Sequence, residues 1–231
     1  DNKPHPTVTA KTDGDLYDRE PASKQITTGE ETFLLTLIKA ATHQLTVTND
    51  ETTSVTLLGQ NSEVFTVNSN IPDRLQILIP GERRIAGKAN EPESQANANP
   101  RVFADPTPYF GKTGTPINQT AGVPFVVTVN LTDKYYNTVP DVSMPAVKLA
   151  TTDLFDTELD QQSLTLGTGI MAPTLVTATT THILTAAVYG AGPQYNVHPN
   201  DPISQITPAF TVVPNNPTKL QVILPGETAV P

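Results

Sequence analysis

Phe65-Thr66-Val67, Pro72 and Arg74-Leu75-Gln76-Ile77-Leu78-Ile79-Pro80-Gly81-Glu82 recur without a gap as Phe210-Thr211-Val212, Pro217 and Lys219-Leu220-Gln221-Val222-Ile223-Leu224-Pro225-Gly226-Glu227. Ungapped recurrence over such a span marks two related modules. Leu75, Ile77 and Ile79 alternate with Arg74, Gln76 and Leu78, and Leu220, Val222 and Leu224 alternate with Lys219, Gln221 and Ile223. A period of two puts each set on its own face, so each stretch predicts a strand with one buried face. Pro-Gly ends both, because proline cannot donate to a ladder and glycine permits the turn that follows. Each stretch therefore reads as the strand that closes its module and passes the chain on.

The background fits strands and turns. Among 231 residues there are 22 prolines, 13 glycines and no tryptophan, in a sequence rich in threonine and valine. A net charge of -9 argues against nucleic acid as a partner, which would need a basic stripe to neutralise phosphates. Zero cysteines removes disulfides, thiolate metal sites and cysteine nucleophiles together. No apolar run approaches the roughly 18 residues a membrane helix requires. No signal-peptide pattern stands at Asp1, which fits a processed N-terminus as well as a cytosolic one.

Along the first module, Thr7-Val8-Thr9 after Pro4 and Pro6 predicts a first strand, and Asp13, Asp15 and Asp18 follow on a loop. Glu31 to Leu45 is ambiguous, since Leu34, Leu37, Ile38, Ala41 and Leu45 would share one helix face. Phe33 to Leu37 also resembles the valine-rich Phe125 to Val129, each after a glycine, and this favours a strand. Gln44 to Thr48 and Ser54 to Leu58 flank Asn49-Asp50 as a hairpin would. With Glu63 to Val67 and Arg74 to Ile79, the count reaches about seven short strands, a β-sandwich number. After Glu82 the periodicity dissolves into Arg83-Arg84 and a run of Asn, Ala, Glu and Pro that reads as a linker, with Val102-Phe103 its one apolar island. In the second module strands are expected at 124–131, 146–150, 163–166, 174–179, 183–189, 209–213 and 219–224.

Gly111 to Pro116, Gln119 to Phe125, Val127 to Asn130, Asp133 to Asn137 with Val139-Pro140, and the closing Lys219 to Glu227 resemble the tandem immunoglobulin-like repeats of large bacterial surface and secreted proteins. The resemblance covers most of the second module and, more weakly, the second half of the first. It implies an all-β chain of two tandem immunoglobulin-like β-sandwich domains joined by an extended linker, and it carries over no catalytic residues. The domains expected are residues 1–82, compact or incomplete with an extended N-terminal arm, a linker over 83–107, and a second sandwich over 108–231. The long linker and the first 30 or so residues depart from the simple repeat pattern.

Candidate chemistry is thin. His5, His43, His182 and His198 match no zinc spacing and are expected at the surface or at strand edges. No nucleophile elbow, phosphate loop or dinucleotide fingerprint is present, so the chain is expected not to be an enzyme. Calcium is the one cofactor for which the sequence offers ligands, because it wants several hard oxygens on one loop. Its candidates are Asp13, Asp15 and Asp18, and Asp153, Asp156 and Asp160 with Glu158, weighed against ordinary solvated loop charge. An EF-hand starting at Asp13 would end on Lys24 and fails. Asn118 and Asn130 open glycosylation sequons, and Tyr109-Phe110 and Tyr135-Tyr136 are the candidate contact aromatics.

These readings converge on a non-catalytic extracellular structural protein, the repeating unit of a bacterial surface filament, sheath or stalk. Self-association into a homopolymer would run through sandwich edges and extended segments, with Thr7, Val8 and Thr9 as an arm added to a neighbour and Val102 and Phe103 as a docking island. The alternative is an adhesin or carbohydrate-binding module of a secreted protein, with carbohydrate as its partner.

Overall fold

A computed structural model of the chain describes residues 5–49, 58–88, 111–140, 146–157, 159–188 and 204–228. Its regular structure is all β, in several sheets, with no helix among the described residues. Two compact units divide the chain: Asp1–Ser69 with Ala86–Gly111 and Tyr135–Asn137, and Asn70–Ile85 with Lys112–Lys134 and Thr138–Pro231.

The first unit is built on β1 (Thr7–Asp13), β2 (Lys24–Gln25), β3 (Thr42–Asn49), β4 (Gln60–Asn61) and β5 (Phe65–Thr66). β1 lies between β2 and β3, and β3 also pairs with β4 and β5. Val8 and Ala10 are buried, so Thr7-Val8-Thr9 is an interior strand with neighbours on both sides rather than a free arm. Phe33 to Leu37 forms no strand, and Thr36 alone bridges to Arg19. The reason lies just beyond it: the N–H groups of Ile38 and Lys39 are taken by the Asp15 carboxylate instead of a ladder partner. The expected strand at Ser54 to Leu58 falls, except for Leu58, outside the described residues.

The second unit begins with β6 (Arg74–Leu78) and β7 (Glu82–Arg84). It continues through β8 (Lys112–Gly114), β9 (Gln119–Thr120), β10 (Val127–Thr132), β11 (Val147–Thr151), β12 (Thr168–Met171), β13 (Thr179–His182), β14 (Leu184–Val188), β15 (Ser204–Ile206) and β16 (Phe210–Val213). β6 and β12 flank β10, β14 sits between β11 and β15, and β16 between β13 and β9. Leu75, Ile77, Val127, Val129 and Leu131 from the first of these sheets pack in one buried cluster with Val147, Leu149, Leu184 and Ala186 from the second. Two sheets closing on one apolar cluster give a β-sandwich-like architecture.

This corrects the reading of the repeated stretch. The first copy was expected to close the first module, yet β6 runs antiparallel to β10, with Ile77 opposite Val129 and Leu75 opposite Leu131, inside the second unit. The second copy was expected as a strand with a buried face, yet Lys219 to Leu224 forms no strand and its side chains are exposed. The cause is occupancy: β10 already has a partner on each side, β6 and β12, so no edge remains for the second copy. The strands expected at 163–166 and 174–179 are likewise displaced, to β12 and β13.

Candidate functional site

The strongest side-chain constellation is one that is built twice. Asp15, buried after β1, accepts the N–H of Tyr17 at 3.1 Å and those of Ile38 and Lys39 at 2.7 and 2.8 Å. Asp153, buried after β11, accepts the N–H of Phe155 at 3.1 Å and those of Val176 and Thr177 at 2.6 and 2.8 Å, with the Thr177 hydroxyl at 2.7 Å. In both places the aspartate is a staple that satisfies loop N–H groups no strand can satisfy.

A histidine completes each copy. His43 Nε2 lies 2.8 Å from the Lys39 carbonyl, and His182 Nε2 lies 2.6 Å from the Thr177 carbonyl. A carbonyl only accepts, so each ring donates from Nε2 in these contacts. The rings meet Phe65 and Phe210 respectively, each at a centroid distance of 6.2 Å, across antiparallel pairs of β3 with β5 and of β13 with β16. Both histidines are buried rather than at the surface, with His182 at the end of the sheet-edge strand β13, while His5 is exposed and His198 lies outside the described residues.

This constellation is not arranged for acid–base chemistry. Burial pushes the Asp153 carboxyl up, but its hydrogen bonds from Thr177, Phe155 and Val176 outweigh that and hold it below its ordinary value. Its lone pairs are committed to those donors, and the His182 Nδ1 faces the Thr152 hydroxyl at 3.3 Å. A concavity of ≈270 Å³ opens beside it, lined by Thr152, Thr177, Thr179, Thr181 and the exposed Leu154 and Phe155.

The calcium candidates are dispersed among structural roles. Asp15 and Asp153 staple backbone, Asp18 accepts the Thr12 hydroxyl, and Asp156 accepts the Thr151 hydroxyl at 2.5 Å. Asp13 and Asp160 are exposed, and Glu158 lies outside the described residues. No group of three or more such ligands comes together among the described residues. Burial, then the charges of Glu20 and Asp15, push the Asp18 carboxyl up to about 7. Glu20 is also raised, chiefly by burial, and its Oε2 is buried without a partner among the described residues.

Other candidates sort similarly. Asn130 of the second sequon is buried, donating to Gln76 and accepting from the Thr168 hydroxyl, whereas Asn118 is exposed. Tyr136 is buried in a left-handed conformation with φ 60, a packing residue rather than an exposed contact. Val102 and Phe103, and Tyr109-Phe110, lie outside the described residues.

Sequence reading missed the duplicated framework. Its signal was present: Asp15-Leu16-Tyr17-Asp18 matches Asp153-Leu154-Phe155-Asp156, and Thr42-His43 matches Thr181-His182. The mapping sets the first unit against the later half of the second, so Leu37-Ile38 answers Leu175-Val176, not the Phe125 to Val129 stretch.

The two repeated stretches complete the picture. Around the first, Glu82 accepts the Ile79 N–H at 3.0 Å and pairs with Lys112 Nζ at 2.7 Å, and Lys112 also donates to the Ile77 carbonyl at 3.1 Å. Around the second, Glu227 accepts the Leu224 N–H at 2.8 Å and donates its own N–H to the Leu224 carbonyl at 3.0 Å, as Glu82 does to Ile79. The turn is the same. The surroundings are not: Leu75 and Ile77 are 0% exposed, Leu220 and Val222 101% and 83%.

Compared with known proteins, the chain has no match among protein-family models, curated proteins or solved structures.

Proposed function

We propose that this chain is a non-catalytic structural protein of the cell surface or extracellular space, made of immunoglobulin-like β-sandwiches in tandem and serving as a repeating unit of a filament, sheath or stalk. The observation that carries the reading is the duplicated Asp-His-Phe framework. The same buried aspartate staple and the same histidine-on-phenylalanine contact recur in both units, where they tie loops to strands, which is the economy of a repeat and not of an active site. The sequence resemblance to tandem repeats of bacterial surface proteins supports the same reading, as does an acidic, threonine-rich exterior that stays hydrated. The test is assembly: light scattering across a wide concentration range and electron microscopy of native material are expected to show concentration-dependent polymers. A strict monomer with no fibres would end the self-assembly part.

A second reading is favoured by one feature. The concavity beside Asp153 offers threonine hydroxyls and the half-exposed Phe155 ring, the combination of hydrogen-bonding groups and an apolar face that a sugar meets. Glycan-array binding that is lost in Phe155→Ala would move the assignment to a carbohydrate-binding module, and an empty array would retire it.

A further inference from the structure

We propose that Lys219–Glu227 is the first strand of a further β-sandwich, other than the two units described. Its occupant is an acceptor strand of the Val127–Thr132 kind, in a sandwich carrying a lysine that meets Glu227 as Lys112 meets Glu82. The inference deepens the array reading above and rests on it.

The first copy shows what such a stretch is for. It opens the second unit: Leu75 and Ile77 enter the core beside Val129 and Leu131, Gln76 meets Asn130 at 3.2 Å, and Glu82 meets Lys112 at 2.7 Å. The second copy repeats every one of those side chains, conservatively or identically, as Leu220, Gln221, Val222 and Glu227. It also holds the same turn, with Gly226 at φ +97 against +98 for Gly81. At Gly81 the backbone of Thr115 and Ile117 packs so closely that no Cβ would fit, while at Gly226 there is nothing within 4 Å. The segment keeps the turn and the side-chain pattern of the seated copy and lacks the seat.

The seat is not in the second unit, because β10 is flanked by β6 and β12 and the apolar cluster closes without Leu220, Val222 or Leu224. Three alternating apolar side chains and an unladdered backbone are also an exposed edge of the kind folded proteins cover. Glu227 has no cation partner among the described residues, so the charge that Lys112 supplies to Glu82 is still to be met.

The test supplies the acceptor. Residues 1–227 are followed directly by a second copy of residues 83–213, so that Lys219–Glu227 stands where Arg74–Glu82 stands in the parent. The added copy is expected to fold, read as a second set of slowly exchanging amides, and exchange at 220–224 is expected to slow at least about 100-fold relative to the parent chain. Leu220→Asp with Val222→Asp should unfold the added copy and leave the parent's protection pattern unchanged. The assignment is overturned if the added copy stays unprotected, or if it folds equally well with the two aspartates or with residues 214–227 deleted. It is also overturned if the parent chain dimerises and Leu220→Asp dissolves the dimer, which would make the occupant a second copy. Absence of fibres in native material would remove the array reading while leaving the exchange result standing.

Discussion

The Asn130 side-chain amide donates to the Gln76 side-chain oxygen at 3.2 Å, in a place where Gln76 is wholly buried and Asn130 nearly so. A buried amide stripped of its partner costs about 1–3 kcal/mol, so Gln76→Ala is expected to lower unfolding stability by that amount. Its counterpart Gln221 is exposed, and Gln221→Ala should change stability by less than about 0.5 kcal/mol. Urea titration of the two variants checks the contrast. Equal effects would mean that both copies of the stretch are seated alike.

The same asymmetry is sharper at the turn glycines. A Cβ at Gly81 would collide with the Thr115 carbonyl oxygen and crowd the Ile117 N–H, both backbone atoms, and φ +98 strains any other residue. Gly81→Ala is expected to cost about 3 kcal/mol or more, because the β7 and β8 pair must shift to admit it. Gly226→Ala meets open space and carries only the local strain of its φ, about 1 kcal/mol, in a segment outside the core. Thermal melts followed by circular dichroism should separate the two by several degrees.

The strand content and the repeat were legible because alternation and Pro-Gly punctuation are local: β1, β3, β6, β10, β11, β14 and β16 lie close to where the period of two put them. Which unit owns Leu75 was not legible. Alternation says that a strand has one buried face and is silent on whose core receives it, and β6 finds its partner in β10 through a contact far along the chain. The Asp15 and Asp153 staples were hidden for a related reason. Clustered aspartates read as loop charge or cation ligands until the N–H groups of Lys39 and Thr177, more than 20 residues away, are seen to end on them.

Those staples give a paired prediction. An asparagine at Asp153 keeps one oxygen for the Val176 and Thr177 N–H groups but turns its amide nitrogen toward the Phe155 N–H, donor against donor. Asp153→Asn is expected to destabilise by about 1–3 kcal/mol. Asp15→Asn meets the same conflict at Tyr17 and should cost a similar amount. The two networks share no residue, so the double variant should sum the single effects to within about 0.5 kcal/mol. Matching losses would establish that the framework does the same work in both units, and a neutral Asp153→Asn would show that one oxygen suffices.

Asp18 sets the pH response. Its carboxyl is pushed up to about 7, first by burial and then by the charges of Glu20 and Asp15, from an ordinary value of 3.8. Between those two values the folded chain holds a proton that the unfolded chain has released, so the folded state binds more protons and stability falls as pH rises. The contribution is fully present below about pH 4 and is lost on passing about pH 7. Asp153 acts in the opposite sense, since its lowered carboxyl stabilises above its unfolded value and loses that support only in stronger acid. Urea denaturation at pH 5 and pH 7.5 is therefore expected to show the chain more stable at the lower pH, by on the order of 1–2 kcal/mol. Asp18→Asn is neutral at both pH values and should reduce that slope to what Glu20, whose carboxyl burial also raises, contributes. A slope undiminished by the substitution, or stability that rises from pH 5 to 7.5, would place the titrating group elsewhere.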